Sequence, residues 1–220
     1  FGTIVGRNVG EYFDTFRRTP MNNWHIENKA KFENVGQWKR AWYYPKNKET
    51  MHEAVQRESK AARESAGILD ASTLGKIDIQ GTDASEFLNR VYTNAWSKLA
   101  IGKCRYGLML NEDGMVYDDG VTTRLDENHY IMTTTTGGAA NVLGKLEDYL
   151  QTEWPELDVY LSSVTDHYAT ASICGPNSKK IINKLIPNLD LSDESFPHMS
   201  FKNSKINNIK CRIMRISFTG

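Results

Sequence analysis

The dipeptide Asp113-Gly114 separates two strand-like runs, Arg105–Leu110 and Met115–Val121. It constrains the chain more than any other feature, because Asp-Gly readily supplies the positive φ angles of a tight hairpin turn. With Asp113 and Gly114 as the two central turn residues, Glu112 faces Met115 and Leu110 faces Tyr117. Leu108 then faces Asp119, and Tyr106 faces Val121. Directly opposed residues of an antiparallel pair point to the same side. The expected face therefore carries Tyr106, Leu108, Leu110, Tyr117, Asp119 and Val121, while Asp118 lies on the other face with Val116 and Gly120. A second turn at Asp126-Glu127-Asn128 leads into a third strand. Pairing Leu125 with Tyr130 sets Thr123 against Met132 and Val121 against Thr134. That register adds Tyr130, Met132 and Thr134 to the Asp119 face.

Asp119 is the only carboxylate in this apolar and aromatic row, and an unsatisfied buried carboxylate is costly. Two readings stand at this point. A turn amide or a nearby arginine satisfies it, or the row is a ligand site. In the second reading a flat heteroaromatic lies against Tyr106 and Tyr130, and Asp119 bonds its nitrogens. Carboxylates in clefts are also where acid–base function concentrates.

The rest of the chain alternates helices with strands. Residues 16–46 are rich in Trp and Tyr (Trp24, Trp38, Trp42, Tyr43, Tyr44) and are expected to pack across a core. Residues 49–66 are dense in helix formers and stop at Gly67. Residues 75–80 alternate as a strand. Thr82 is placed to cap the next helix, whose Ala84, Phe87, Leu88 and Val91 form one apolar face. A further helix starts near Gly138. Strands are expected near 157–163 and 167–174, then a helix with Ile181, Ile182 and Leu185 inward, and a last strand over 210–217. Helices mixed with antiparallel hairpins specify an α+β fold, antiparallel sheets with flanking helices.

The 27 basic and 27 acidic side chains cancel. A neutral chain lacks the electrostatic footprint of a nucleic-acid or anionic-membrane binder, and no apolar run approaches the roughly 20 residues of a membrane span. Cys104, Cys174 and Cys211 form no CxxC and read as small buried hydrophobes of a cytoplasmic protein. No dinucleotide fingerprint or phosphate loop is present. His25-Ile26-Glu27 matches half of a zinc deaminase signature, but no PCxxC follows, so no metal site is expected. The chain begins at Phe1 and ends at Gly220 after a strand-like run, and both ends look cut from something longer.

The run from Asn111-Glu112-Asp113-Gly114 to Asp118-Asp119 resembles the strand–turn–strand of glycine-cleavage aminomethyltransferases (T-proteins). Thr19-Pro20-Met21 through Trp38, Ala66–Ser72 and Cys174-Gly175-Pro176 resemble other segments of that family in the same order. One branch is closer. Trp38–Pro45, Asp70–Lys76, Tyr92–Trp96 and Met132–Gly138 are similar to the C-terminal half of heterotetrameric sarcosine oxidase alpha subunits. The resemblance runs from about Arg17 onward. It implies a folate-binding, T-protein-like fold truncated at its C-terminus, with residues 1–15 a linker remnant and 16–220 the N-terminal part of the domain.

The resemblance also implies a tetrahydrofolate site. The folate-contacting carboxylate maps to Asp119, the residue packing on the pterin to Tyr106, and a nearby loop residue to Leu74. Tyr130, Met132 and Thr134 map to pocket-lining positions of the third strand. Two departures matter. T-proteins usually carry Asn at the Thr134 position, and an amide offers a donor and an acceptor where a hydroxyl is smaller. The family also has a glutamate just after a Ser-x-Thr-Gly-type segment, at which this chain ends. The implied activity is that of a sarcosine oxidase, an oxidoreductase. A flavin oxidises sarcosine, and tetrahydrofolate takes up the one-carbon unit to give 5,10-methylenetetrahydrofolate. Asp119 orients the folate and stabilises the cationic iminium. FMN, FAD and NAD are expected elsewhere in the parent complex, with beta, gamma and delta subunits as partners, and the isolated stretch is expected to be inactive. Competing readings are a dimethylglycine oxidase, a T-protein relative or a non-catalytic folate-binding scaffold.

Overall fold

A computed structural model describes residues 14–217. The expected linker therefore lies almost wholly outside the described residues. In chain order the elements are β1 (Arg17–Arg18), α1 (Asn22–Glu27), β2 (Lys31–Val35), β3 (Trp38–Tyr43), α2 (Met51–Glu64), β4 (Gly67–Asp70), β5 (Gly75–Gln80) and α3 (Ala84–Val91). There follow β6 (Cys104–Leu110), β7 (Val116–Asp126), β8 (His129–Thr134), α4 (Ala139–Thr152), β9 (Tyr160–Ser163), β10 (Ala171–Cys174), α5 (Ser178–Leu185), β11 (Ser200–Ile206) and β12 (Ile209–Arg215). The described residues form two compact units, 14–73 with 166–182 and 74–165 with 183–217. The α+β class read from the sequence is the class observed.

In the first unit β3 pairs with β1 in parallel and with β2 antiparallel, and β4 pairs with β10 antiparallel. The Trp-rich segment forms these strands and α1, and only part of it packs inward. Trp38 is buried under the Arg17 guanidinium, 4.1 Å from its ring centroid, whereas Trp24 and Trp42 are each 51% exposed. Helix α2 starts with a capping box. The Thr50 hydroxyl accepts from the Glu53 amide, and the Glu53 carboxylate accepts from the Thr50 amide at 2.8 Å. The helix ends at Ser65, and Gly67 opens β4 where a helix stop was expected. Gly175 turns the chain at φ 96°, and a Cβ there would lie 2.3 Å from the Ala62 carbonyl oxygen.

His25 is a satisfied core histidine of this unit. Nε2 lies 2.8 Å from Asp70 Oδ2, and Nδ1 lies 2.6 Å from the Tyr44 hydroxyl. Burial raises Asp70, but hydrogen bonds from Ser72, Thr19 and His25 outweigh it and hold the carboxyl below its ordinary value. Burial and the charges of Asp70 and Glu58 push the Tyr44 phenol up to about 12.

The second unit holds a five-stranded antiparallel sheet, ordered β6-β7-β8-β5-β9, and the β11–β12 hairpin. One sheet face is covered by apolar side chains of α3 and α4. Phe87, Leu88, Val142 and Leu146 pack with Ile77, Ile79, Met109, Tyr130 and Met132, all buried. Spacing at i, i+3 and i+4 brings these helical residues onto one stripe. Thr82 does not cap α3. Asp83 holds the N-cap position without a side-chain cap bond, and the Thr82 hydroxyl donates to Asp158. The expected inward Leu185 of α5 is 46% exposed, while Ile181 and Ile182 are half-buried.

Candidate functional site

Strand β7 places Asp118 and Asp119 on opposite faces of the sheet. The register on its β6 side pairs Tyr106 with Val121, Leu108 with Asp119 and Met109 with Asp118. These are the pairs expected from the sequence, but they arise differently. The turn is not the two-residue Asp113-Gly114 loop. The Asn111 amide donates to the Met115 carbonyl, Gly114 sits at φ 80°, and Leu110 pairs with Val116. A bulge then leaves Tyr117 without a partner and restores the expected register. Two one-residue displacements cancel. Leu110 therefore does not face Tyr117. The Tyr117 ring packs on the helix-covered side, with the Lys145 ammonium of α4 4.6 Å from its centroid.

No such cancellation occurs at the second turn. Asp126 pairs with His129, a bulge at Leu125 follows, and Arg124 pairs with Tyr130. Thr122 then pairs with Met132 and Thr123 with Ile131. A one-residue slip moves every side chain of a strand to the other face. The expected grouping is thus corrected. Tyr130, Met132 and Thr134 lie on the helix-covered face with Asp118, and each is at most 2% exposed. Ile131 and Thr133 take the positions on the Asp119 face, where Thr133 Oγ1 accepts from the Val121 amide at 2.9 Å. The bulge has no residue-type signature at Leu125, so the alternation alone could not reveal it.

The Asp119 face is closed at one end and open at the other. Cys104 and Thr123 are buried, with the Thr123 hydroxyl 3.3 Å from Cys104 Sγ. Burial raises the Cys104 thiol, partly opposed by the Thr123 hydrogen bond and the charges of Lys103 and Arg212. At the open end Tyr106 is 48% exposed. Its hydroxyl donates to Asp119 Oδ2 at 2.9 Å. Asp119 is satisfied by this phenol, not by the turn amide or arginine first considered. The hydrogen bond to Asp119 pushes the Tyr106 phenol upward, because ionisation would set two anions side by side. Leu74, half-buried in the turn just before β5, offers its carbonyl to the Lys76 ammonium at 2.9 Å. It precedes Lys76 by two positions, and Lys76 pairs with Thr133 on the Asp119 face.

Asp118 on the covered face is 4% exposed. The Thr135 hydroxyl donates to it at 2.6 Å and the Thr135 amide at 3.2 Å, while the Gly138 amide bonds Thr135 Oγ1 at 3.1 Å. A Cβ on Gly138 would sit 2.8 Å from Asp118 Oδ1. Burial raises Asp118 above the ordinary carboxylate value despite these bonds, and burial likewise raises the nearby Tyr92 phenol, helped by the charges of Asp118 and Asp119. Together the two carboxylates anchor the turn into α4 from below and present an acceptor with an aromatic ring above. Such a pair can bind a flat ligand carrying N–H groups and stabilise a nearby cation.

The β11–β12 hairpin was missed in the sequence, where one strand over 210–217 was expected. The signal was present. Asn207 and Asn208, both at positive φ, form a two-residue turn between Ile206 and Ile209.

The chain is 56% identical over its full length to a sarcosine oxidase subunit alpha of Corynebacterium sp. (strain P-1), and it spans 23% of that relative's length. Among solved structures, glycine cleavage system aminomethyltransferase T from Bartonella henselae superposes with a TM-score of 0.71 at 24% identity, covering 84% of this chain and 46% of that one. Heterotetrameric sarcosine oxidase from Corynebacterium sp. U-96, in complex with pyrrole 2-carboxylate, superposes at 0.50 and 14% identity, covering 74% of this chain and 78% of that one. These folds agree with the antiparallel sheet and flanking helices described above, and the family model described as the GCVT N-terminal domain matches residues 21–220. The chain belongs to that family.

Proposed function

We propose that the Asp119 face binds tetrahydrofolate and that the chain acts within a sarcosine oxidase alpha subunit. The observation that carries the reading is the exposed Tyr106 ring whose hydroxyl is held on Asp119, a stacking surface joined to an acceptor. The sequence similarity to sarcosine oxidase alpha subunits supports the parent activity. A reduced pterin is flat and displays amine and amide N–H groups, which fit that pair. Tetrahydrofolate would supply two nitrogens that take up the methylene carbon of the imine formed by sarcosine oxidation, with glycine released as the leaving amine, giving 5,10-methylenetetrahydrofolate. Asp119 accepts N–H bonds from the pterin, fixes its orientation and stabilises positive charge at the reacting centre. Tyr106 packs on the ring, and Leu74 bounds the site from the turn before β5. Tyr130, Met132 and Thr134 support the sheet from its buried side, a change from the lining role first expected. FMN, FAD and NAD belong to other parts of the parent assembly, whose beta, gamma and delta subunits are partners, in the cytoplasm.

The test is titration of tetrahydrofolate into the full-length protein, beside Asp119→Asn. Losing a charged acceptor should weaken binding about ten- to a hundredfold. Flavin reduction by sarcosine should stay nearly intact in the same variant. Equal loss of flavin reduction and methylene transfer would contradict the assignment.

A further inference from the structure

We propose that Lys76 is the specificity-determining cation of the Asp119 face, its charge selecting the carboxylate of an amino-acid-derived one-carbon donor whose iminium nitrogen lies toward Asp119. The inference rests on the folate reading above and deepens it by naming the class of donor.

Side chains of β5 alternate between the two sheet faces. Ile77 and Ile79 point into the core, so Lys76 and Asp78 point to the Asp119 face. Lys76 is 4% exposed there. Burying an ammonium carries a desolvation cost that an apolar side chain at the same position would avoid. At that depth little water screens the charge, so its field reaches further than that of a surface lysine. Asp78, the next residue of β5 on this face, accepts from Gln80 Nε2 at 2.6 Å, and its other oxygen lies 2.7 Å from His129 Nε2. Gln80 pairs with His129, so both partners lie farther along β5. The Lys76 ammonium turns the opposite way and donates to the Leu74 carbonyl at 2.9 Å.

Register brings that end of β5 level with Asp119. Lys76 pairs with Thr133, whose Oγ1 accepts from the Val121 amide at 2.9 Å and donates to the Val121 carbonyl at 3.2 Å. Lys76, Thr133 and Val121 thus form a row across three strands. Strands β5 and β7 are both antiparallel to β8, so they run the same way. Two positions back from Val121 is Asp119, and two back from Lys76 is Leu74. The ammonium at the Leu74 carbonyl therefore lies level with Asp119, with two strand spacings, roughly 10 Å, between the backbones. Tyr106 lies on the other side of Asp119, on β6. Asp119 stands between an aromatic platform and a cation. The Tyr106 side takes the folate ring, and the Lys76 side takes the donor.

The imine formed by sarcosine oxidation, protonated on nitrogen, is a zwitterion with its carboxylate one carbon away from that nitrogen. Asp119 and Lys76 carry the complementary charges in the same order. In the transfer, one folate nitrogen bonds to the methylene carbon and the second displaces the amine. The bond from that carbon to the glycine nitrogen breaks, and the two folate N–H protons end on glycine. Formaldehyde has no carboxylate, so the cation gives it no advantage.

The experiment titrates tetrahydrofolate into the full-length protein alone, with glycine, and with glycinamide, which lacks the carboxylate. Glycine should tighten tetrahydrofolate binding several-fold in the wild type, and glycinamide should not. That contrast needs no variant to fold. Lys76→Gln keeps a donor for the Leu74 carbonyl and removes the charge. It should bind tetrahydrofolate yet lose the glycine effect. During sarcosine turnover with tetrahydrofolate present, the share of carbon released as formaldehyde should rise several-fold in this variant, while capture of added formaldehyde should change far less. Equal effects of glycine and glycinamide in the wild type, or a glycine effect kept in Lys76→Gln, overturn the role of Lys76 and leave folate binding in place. Tetrahydrofolate binding that Asp119→Asn leaves unchanged removes the folate reading, and this inference with it.

Discussion

Asp118 and Asp119 are neighbours in the chain and end in opposite environments. Asp118 turns toward α3 and α4, receives two bonds from Thr135, and is raised by burial. Asp119 turns the other way and shares one bond with an exposed phenol. The same contrast extends across the sheet. Met109, Ile77 and Met132 lie on the covered face, while Tyr106, Leu108 and Val121 lie on the face that stays partly open. A strand alternates strictly, so one strand can serve the core and a ligand face at once. The side chain type does not settle which face a residue serves, since both residues here are aspartates.

The largest expected difference between the faces is in packing. Phe87→Ala on the covered side should lower stability by about 3–5 kcal/mol, whereas Leu108→Ala on the other face should cost well under half of that. Denaturant midpoints would compare them, and equal losses would erase the distinction. Gly107→Ala comes next. Its Cβ would lie 2.6 Å from Trp96 Cζ2, so the ring must shift at about 1–3 kcal/mol.

Asp118→Ala should cost about 1–3 kcal/mol, because the Thr135 donors lose their acceptor. The pH dependence sharpens this case. Asp118 holds its proton more tightly folded than unfolded, so the folded state binds more protons just above the ordinary value of 3.8. Its contribution to stability therefore falls as pH rises through that window. Asp118→Asn should flatten the fall, as measured by denaturation at a series of pH values. An unchanged slope would show that Asp118 is not raised by burial.

Tyr106→Phe should change stability least, since the group is exposed. Its effect should appear in folate affinity, where a several-fold loss is expected from the freed Asp119 and the lost hydroxyl. A stability loss comparable to that of Asp118→Ala would mean that Tyr106–Asp119 is a structural pair.

Much of the strand and helix order was legible because local rules sufficed. Asp113-Gly114 marked one hairpin, the apolar stripe Ala84–Val91 marked α3, and the helix formers of residues 49–66 marked α2. The register was only partly legible. The Leu108–Asp119 pairing was right because the three-residue turn and the bulge at Tyr117 offset each other. The bulge at Leu125 had no counterpart, so Tyr130, Met132 and Thr134 were assigned to the wrong face and Ile131 and Thr133 were passed over. Asn207-Asn208 was a readable turn signal that the strand expectation over 210–217 overlooked.

The sequence by itself determined that antiparallel hairpins and amphipathic helices form, since turn chemistry and periodicity act over a few residues. It also determined that Asp118 and Asp119 must point to opposite faces, a consequence of strand geometry alone. Which face would be covered, and which third-strand residues would share it, only the tertiary structure decided. A bulge is stabilised by packing against residues distant in sequence, and one inserted residue at Leu125 was enough to exchange the two faces of β8.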